Sequence, residues 1–517
     1  MRGKFLTAEN TKNTKNFWPQ KGAKKSALIC VNLRIRILCY FPALSYLNFI
    51  RRFTQINTDF RNSFLCLLRF FAVQFFSVAA SAAIYRCPTC LQSDFEYAVY
   101  NQAQPGDTIV LPAGSATWGN ASRPNKGVIY LTKNIKVTGQ GDKTVITLDD
   151  TGATYARGVI ALWSASHFEN MQIIGSNTKP VTAFQCNPYQ NNHGGFQIRN
   201  ITYNGRAGGG YFVYSSVAWG LIDRCQLTAS SGRAELIFAR GLPDSWRTPS
   251  SLGSAVALYI EDCTFNGEGY VCDFNANARG VVRFCTINAN MKVDGHGMAS
   301  NTPPRGMRQI EVYNNTWTVG SGNAAAIEIR GGTGMVFSNT TANPNGWLFF
   351  IDYGYKAQWP NFGRVFQTPK NYPIPDQIGV GRDPKAAASE PLYSWLNRNP
   401  SGIWPRNEGT VAPEAIALYQ SQTHNAEATF SASAIIKEDR DLFLESPAFT
   451  GASGIGIGTR AQMRAIVPAR AGVGYWVTDR GSWNTKLPSN TSGQLYTWNG
   501  KAWVLKYTPF TYPYPIR

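Results

Sequence analysis

The sequence predicts an all-β protein: a right-handed parallel β-helix with a short N-terminal capping helix and a small C-terminal β module. Two observations predict this fold. A short phrase recurs along the chain, and no helical pattern long enough for a βαβ crossover separates its copies. The composition agrees, because 44% of the 517 residues are hydrophobic and only 16% are charged, against a usual ~25% charged. Wholesale disorder is thereby excluded, and a β-rich extracellular protein is favoured over a helical cytosolic one.

The recurring phrase is a short strand with alternating apolar residues, a tight corner of small or polar residues, and a second strand. Its seven copies lie between residues 168 and 343, with spacings of 22 to 38 residues, and the corner positions are Met171, Ile201, Cys225, Cys263, Cys285, Asn315 and Thr340. Such a spacing matches one coil of a solenoid, whereas an antiparallel sandwich would turn every ~8–12 residues. The corner side chains are therefore predicted to form an internal ladder.

The two ends of the chain complete the predicted architecture. Ser93 and Glu96 have the spacing of a capping box, which predicts a short helix over 93–103 that covers the first coil. Two hairpin-like runs rich in Trp and Tyr between 450 and 505 predict the C-terminal module. Its aromatic residues either form the core of the module or stack on sugar rings. These features divide the chain into a leader extension (1–60), a signal peptide (61–82), the β-helix (83–355), a wrapping segment (356–449), and the module with its tail (450–517).

The positive charge of the chain is concentrated at its N-terminal end. The formal net charge is +19, and residues 1–69 hold 13 Lys or Arg and 2 acidic residues, a net +11, so that the remaining residues carry +8. A nucleic-acid partner needs a clustered basic face on the folded protein. The sequence therefore predicts no nucleic-acid partner.

Residues 61–82 have the three parts of a secretory signal peptide. Arg61 and Arg69 precede an apolar stretch, and Ala80-Ser81-Ala82 is a small-x-small cleavage signature. The alternative is a membrane anchor, which needs ~20 apolar residues, and Arg69 and Gln74 interrupt the run. We therefore predict a secreted or periplasmic monomer, mature from about Ala83 and without a membrane span after cleavage. Residues 1–60 are interpreted as a non-native or disordered extension.

Seven cysteines follow the predicted cleavage site, an odd number that forbids complete intramolecular pairing. Cys87 and Cys90 lack a second CxxC, which favours a local disulfide or free thiols over zinc. At the corners of the repeat, a small buried side chain is all that Cys needs to supply.

The coils, the capping helix and several local sequences resemble those of the pectate-lyase-like superfamily of secreted β-helix proteins. Within it, the chain is similar to a bacterial family whose substrate is unassigned. The residues that carry this likeness are DGHG (294–297), RQIEVYNNTW (308–317), IEIRGGTGMVFSN (327–339), DQIGVGRD (376–383) and YTPFTYPYP (507–515). The GHG at 295–297 is also similar to that of polygalacturonases, but the NTD, DD and R-x-K partners are missing. The resemblance covers residues 83–517 and implies the fold, while this fold hosts many reactions.

Counting residues back from each corner predicts two outward-facing rows on adjacent coils. The first row is Asp273, Asp294 and Glu328, continued by Asp352, and the second is Asn275, His296 and Arg330, with Arg305 on a flanking loop. We predict that Asp294, His296, Glu328 and Arg330 are catalytic. Asp273, Asn275, Arg305 and Asp352 are predicted to bind substrate. The alternative is a solvated face that carries charges of both signs.

The spacing of the rows suits three kinds of chemistry. Carboxylates one coil apart, at ~4.8 Å, approach the ~5–5.5 Å of retaining glycosidases, and those two coils apart approach the wide end of the inverting range. The same oxygens suit Ca²⁺, in which case Arg330 or Arg305 faces an acidic sugar and proton abstraction becomes easier. We therefore predict a polysaccharide lyase or glycoside hydrolase that acts on an extracellular polysaccharide. The alternative is a non-catalytic, adhesin-like glycan-binding protein.

Overall fold

A computed structural model describes the compact unit that spans Ser81–Arg517, with gaps. The described residues are 82–120, 122, 127–149, 158–186, 195–206, 209–216, 219–229, 234–288, 290–296, 306–318, 325–353, 378–381, 388–405, 407–411 and 436–516. The predicted leader extension and nearly all of the predicted signal peptide lie outside them. Across these ranges, no helix is both long and apolar enough to cross a membrane.

The chain is a parallel β-helix with three faces, and the predicted fold is confirmed. Strands of successive coils pair in parallel along each face, because every coil repeats the same strand–corner–strand pattern at a similar length. The first and second faces form one sheet, since the long strands Lys136–Leu148, His167–Ile174 and Phe196–Asn204 run around the corner between them. The third face is a separate sheet. Apolar residues from all three faces meet in a continuous interior core.

The remaining strands of each face follow in chain order. The first face contains Ile84–Arg86, Thr108–Val110, Gly220–Asp223, Leu258–Glu261, Arg279–Arg283, Gln309–Tyr313, Thr333–Phe337, Leu392–Trp395 and Leu442–Leu444. The second contains Gly114–Trp118, Gln226–Thr228, Thr264–Asn266, Thr286–Ile287, Thr316–Trp317, Thr340–Thr341 and Arg398–Asn399, which Gly402–Ile403 pairs antiparallel. The third contains Ile129–Leu131, Gly158–Leu162, Thr182–Cys186, Val213–Ser216, Ala234–Arg240, Gly269–Phe274, Met291–Gly295, Ala325–Ile329, Trp347–Tyr353 and Asn407–Val411. Two short strands, Val380–Gly381 and Ala388–Ser389, pair antiparallel outside the faces.

The corner between the first and second faces carries the predicted ladder, with one position corrected. The Asn315 side chain donates to Val282 O at 2.9 Å and to Asn339 Oδ1 at 3.0 Å, and Asn339 repeats this arrangement with Asn397. The corner of that coil is therefore Asn339, and the assignment of Thr340 is wrong by one residue. The cysteines at the preceding corners are buried and free, as are Cys87 and Cys90, so no local disulfide forms there.

The helical cap is present, but its predicted capping box is not. The α-helix Gln92–Tyr97 begins after the N-cap residue Leu91, and a π-helical turn, Ala98–Gln102, continues it. Ser93 therefore lies inside the helix and cannot cap it. Instead, the buried side chain of Gln92 donates to Glu96 Oε1 at 2.7 Å and to Gly127 O at 2.9 Å, which ties the helix to the first coils.

Coils continue beyond residue 355, where the sequence predicts that the solenoid ends. Leu392–Trp395 pairs in parallel with the strand Thr333–Phe337, and Leu442–Leu444 extends that face by one more strand. More than thirty residues separate Tyr353 from Leu392, so the coil spacing that reveals the earlier copies is lost there. The repeat continues in space after it stops being regular in sequence.

The C-terminal module is a small sheet that packs against the first face. Its strands are Ile455–Gly458, Gly474–Val477, Gln494–Trp498 and Trp503–Tyr507, and a short helix, Arg460–Arg464, follows the first of them. A capping box between Thr459 and Gln462 starts this helix. Most of the module's large aromatic residues are buried with aromatic residues of the first face, as the core-packing interpretation requires. A further short helical turn, Pro243–Trp246, lies in the loop after the strand Ala234–Arg240.

Candidate functional site

The third face presents a row of acidic residues on its outer side. Its strands alternate, so that Cys272, Val293 and Ile327 point into the core. The residues next to them are paired strand to strand, Asp273 with Asp294 and Asp294 with Glu328. The predicted first row therefore exists for these three residues. The next partner in register is Phe350, so Asp352 does not continue this row.

The residues of the predicted second row each lie one position beyond the end of a third-face strand. The His296 amide donates to Phe274 O, and the Arg330 amide donates to Gly295 O, both at 2.9 Å, so the parallel ladder extends to these positions. Ile329 pairs with Ile351, so the next residues in register are Arg330 and Asp352. Asp352 therefore belongs to the second row and not, as predicted, to the first. Arg305 lies outside the described residues.

Arg330 joins two carboxylates of adjacent strands. Its guanidinium forms an ion pair with Asp294 Oδ2, and its Nε lies 3.5 Å from Glu328 Oε1. Lys292 Nζ approaches the other oxygen of Glu328 at 3.8 Å. On the Asp273 side, Asn275 Nδ2 donates to Asp273 Oδ2 at 3.2 Å. The two rows thus form one connected cluster, with Arg330 between the carboxylates.

This cluster is not the solvated face that the alternative interpretation expects. Asp273, Asp294 and Glu328 are only 4%, 2% and 9% exposed. Nevertheless, Asp273 Oδ1 and Asp294 Oδ1 are buried and have no hydrogen-bond partner in the described part of the chain. Leaving a buried polar atom unpaired costs ~1–3 kcal/mol, and more when it is charged. These two oxygens, on adjacent strands, are therefore available to a ligand or a reacting group.

Burial sets the electrostatics of the cluster. Desolvation, reinforced by the charge of Glu235, raises the pKa of Asp273 from its ordinary value of 3.8 to about 7. Desolvation also raises the pKa of Asp294, although Arg330 opposes the shift. For Arg330, burial acts to lower the pKa, but the charges of Asp294 and Glu328 outweigh it and raise the value. Neighbouring carboxyl groups of this kind hold a proton between them near neutral pH.

Three side chains of the cluster could hold a cation. Ligand atoms of Asp273, Asp294 and His296 lie within 4.8 Å of one another. Asp273 and Asp294 are also the two residues that each keep an unpartnered carboxylate oxygen in the described structure. A cation there would share the cluster with the positive charge of Arg330, and an imidazole nitrogen is a softer ligand than the oxygens that Ca²⁺ prefers.

Sequence reasoning missed one acidic residue and an aromatic group beside the row. Glu235 lies on the preceding strand and is hydrogen-bonded to Tyr211, and burial raises the pKa of its carboxyl group. Tyr214 pairs in register with Phe238, which pairs with Asp273, and the rings of Tyr214 and Phe238 stack with centroids 5.1 Å apart. Strand alternation in the sequence AELIFAR (234–240) could have revealed Phe238. Glu235 lies three residues earlier and pairs with Tyr270, where the register between the next two strands shifts.

Comparisons with known proteins give remote structural likenesses. No family model matches the chain, and no curated protein is similar to it. Among solved structures, the PL6 family alginate lyase AlyGC has a TM-score of 0.34 and 14% identity, with 64% of this chain and 40% of that chain covered. A PL6 family polysaccharide lyase from Pseudopedobacter saltans has a TM-score of 0.32 and 12% identity, with 70% and 91% covered. The catalytic domain of a GH87 α-1,3-glucanase has a TM-score of 0.30 and 10% identity, with 64% and 68% covered. The chain thus spans well under half of the length of AlyGC.

Proposed function

We propose that the third-face cluster is the active site of an enzyme that cleaves an extracellular polysaccharide, as a glycoside hydrolase or a polysaccharide lyase. One observation carries the proposal: Asp273 and Asp294, on adjacent strands, each keep a buried carboxylate oxygen that nothing in the described part of the chain satisfies. An arrangement that only stabilised the fold would gain by pairing these atoms.

Hydrolysis is the reaction that these residues serve best. The Asp273–Asp294 pair holds a proton that it can donate to the glycosidic oxygen of the leaving group. Glu328, held near Lys292 and Arg330, is then the carboxylate that activates water or attacks the sugar. The distance between the proton-donating carboxyl group and Glu328 decides whether the configuration of the sugar is retained or inverted. One strand spacing corresponds to retention of configuration, and two strand spacings approach inversion.

A lyase is the second candidate, and Arg330 is the observation that favours it. A guanidinium between two carboxylates can exchange one of them for the carboxylate of an acidic sugar, which lowers the barrier to removal of the neighbouring proton. His296, beside the acidic pair, is the base that this reaction would use. A bound cation would be held by Asp273, Asp294 and His296 and would supply the same neutralisation of charge. With an imidazole among its ligands, the site suits Ca²⁺ less well than a cation that accepts nitrogen.

We also propose the location and the processing that a polysaccharide substrate requires. The signal peptide at 61–82 directs secretion, and the mature monomer begins near Ala83. Reading the N-terminal sequence of the secreted protein tests this proposal. A secreted protein that keeps residues 1–60 contradicts it.

A panel of acidic and neutral polysaccharides tests the enzymatic proposal. New reducing ends without an unsaturated sugar identify a hydrolase, and ultraviolet absorbance from a new carbon–carbon double bond identifies a lyase. Asp294→Asn and Glu328→Gln are expected to lower the rate by ~10²–10⁴. Repeating the assay with a chelator, and then with added Ca²⁺, tests the cation. Binding without any product would overturn the enzymatic proposal and indicate the non-catalytic glycan-binding alternative.

A further inference from the structure

A pocket lies between the C-terminal module and the corner that joins the first and second faces of the solenoid. It is separate from the acidic row on the third face. Its volume is about 410 Å³, within the ~300–1,000 Å³ of small-molecule pockets. The pocket is partly open to solvent. We call it the module pocket.

One wall of the module pocket is built by the corner residues of successive coils. Phe284, Asn314 and Ser338 occupy the same place in their coils and all have a left-handed backbone, with φ of 56°, 55° and 54°. This conformation makes the tight corner and turns the three side chains outward, about one strand spacing (~4.8 Å) apart. The hydroxyl groups of Thr316 and Thr340, 3.4 Å from each other, continue this wall.

The opposite wall comes from the module. The Trp483 indole N–H donates to Ser492 O at 2.9 Å, which fixes the ring, and the Trp483 ring lies 6.5 Å from that of Phe284. Trp476 and Leu487 extend the apolar surface, and Leu487 is 47% exposed. Trp476 and Trp483 are only 4% and 5% exposed, so the pocket combines an apolar wall, of which Leu487 is the exposed part, with hydroxyl and amide groups on the other side.

The polar side chains of this pocket are uncharged, and two of them are available to a ligand. None of the described residues that line it is charged, and within the described structure the side chains of Asn314 and Ser338 make no hydrogen bond. A sugar unit offers apolar C–H groups that can pack against the exposed side chain of Leu487, and its hydroxyl groups match amide and hydroxyl partners. Among the described lining residues, an acidic sugar would find no cation to pair with its carboxylate.

We propose that the module pocket binds a neutral sugar unit of a glycan chain. This site differs from the acidic row in position and in charge, and none of the described residues that line it is titratable, so we assign it to binding and not to bond cleavage. Its existence does not depend on the reaction catalysed at the third face.

Titration of the full chain with neutral oligosaccharides of glucan, mannan and galactan type tests this proposal, with tryptophan fluorescence and calorimetry as readouts. Leu487→Arg places a long charged side chain at the mouth of the pocket. Asn314→Gly removes the amide but keeps a residue that tolerates positive φ, so the corner is retained. Leu505→Arg is the matched control, because Leu505 is 53% exposed in the same module and does not line the pocket.

We expect at least one neutral series to bind, and both pocket variants to weaken its binding by about tenfold or more, the loss of roughly one good hydrogen bond or contact. The Leu505→Arg control should bind as the unmodified protein does. Cleavage of a short soluble substrate at the third face should be unchanged in all three variants, so that failure of this proposal and failure of the proposed enzymatic function are seen separately. The proposal is overturned if no neutral sugar binds, or if binding is the same in Leu487→Arg and Asn314→Gly.

Discussion

Two buried clusters of charge lie on different faces of this β-helix, and they differ in how completely their polar atoms are paired. The cluster on the first face, which we call the tail clamp, joins Glu261, Arg283 and Glu311 to the C-terminal tail. Arg283 pairs with Glu261 at 2.6 Å and donates to Phe510 O at 2.7 Å and Thr511 O at 3.0 Å. Glu311 accepts from the Tyr507 hydroxyl at 2.5 Å and from the Gly253 amide at 3.0 Å.

The acidic row on the third face is also buried, but its hydrogen bonding is incomplete. Both clusters contain a carboxyl group with a pKa of about 7, Glu311 in the clamp and Asp273 in the row, in each case because burial disfavours the charge. A raised pKa therefore does not separate structure from function here. The difference is that both oxygens of Glu311 are hydrogen-bonded, whereas Asp273 and Asp294 each keep one unpartnered oxygen within the described structure. Incomplete pairing is the property on which we base the proposal that the acidic row, and not the clamp, is the active site.

Asp273→Asn gives the largest effect that this contrast predicts. If Asp273 belongs to the proton-donating pair, the rate of polysaccharide cleavage should fall by ~10²–10⁴. The free energy of unfolding at pH 8 should stay the same or rise, because a neutral amide replaces a buried, incompletely paired carboxylate. Activity assays and urea unfolding of the same preparation measure both quantities.

Asp223→Asn is the matched control for this change. Asp223 is fully buried on the first face and lies 3.2 Å from Arg199 Nε and 3.0 Å from Arg224 Nε. Its replacement should lower stability and leave the rate per folded molecule unchanged. Loss of stability in Asp273→Asn with no loss of rate would show that the acidic row is structural.

Arg283→Met tests the structural role of the tail clamp. Removing one partner of a fully buried ion pair leaves Glu261 uncompensated and should cost ~3–5 kcal/mol. The tail also loses two hydrogen bonds, so limited proteolysis should cut it sooner. The rate per folded molecule on a short soluble substrate should not change. A normal free energy of unfolding combined with a lost activity would reverse the roles that we assign to the two clusters.

The fold and the acidic row were accessible from the sequence for different reasons. The coil phrase is local and regular, so the solenoid and most of its corner ladder could be predicted from it. The predicted row is nevertheless correct for three residues, because two differences of one residue cancel. Counting from Thr340 instead of Asn339 adds one residue, but the turn between Phe274 and Arg279 is one residue longer than that between Ile329 and Thr333. No such cancellation applies to Asp352, and its predicted place in the first row is wrong.

The tail clamp and the module pocket could not be predicted in the same way. Arg283 and Phe510 are separated by 227 positions in the chain, and no periodicity relates them. The burial of the acidic row could not be predicted from the sequence either, because alternation in a strand shows which side a residue faces but not what covers that side. Long-range packing decides both properties.

Glu311→Gln gives the smallest expected effect and isolates the pH dependence of the clamp. The pKa of Glu311 is about 7 in the folded protein, raised by burial above an ordinary value of 4.5. Between these two values the unfolded chain binds fewer protons than the folded one, so the free energy of unfolding of the unmodified protein falls as the pH rises, by up to ~1.4 kcal/mol per pH unit. Glutamine resembles the protonated acid, so at pH 5 the variant should differ by less than ~1 kcal/mol. Urea unfolding from pH 5 to 8 should show a shallower fall for the variant, with the remaining slope contributed by the other carboxyl groups whose pKa is raised by burial, which include Asp273, Asp294 and Glu235. Equal slopes in the two proteins would mean that Glu311 stays ionised in the clamp.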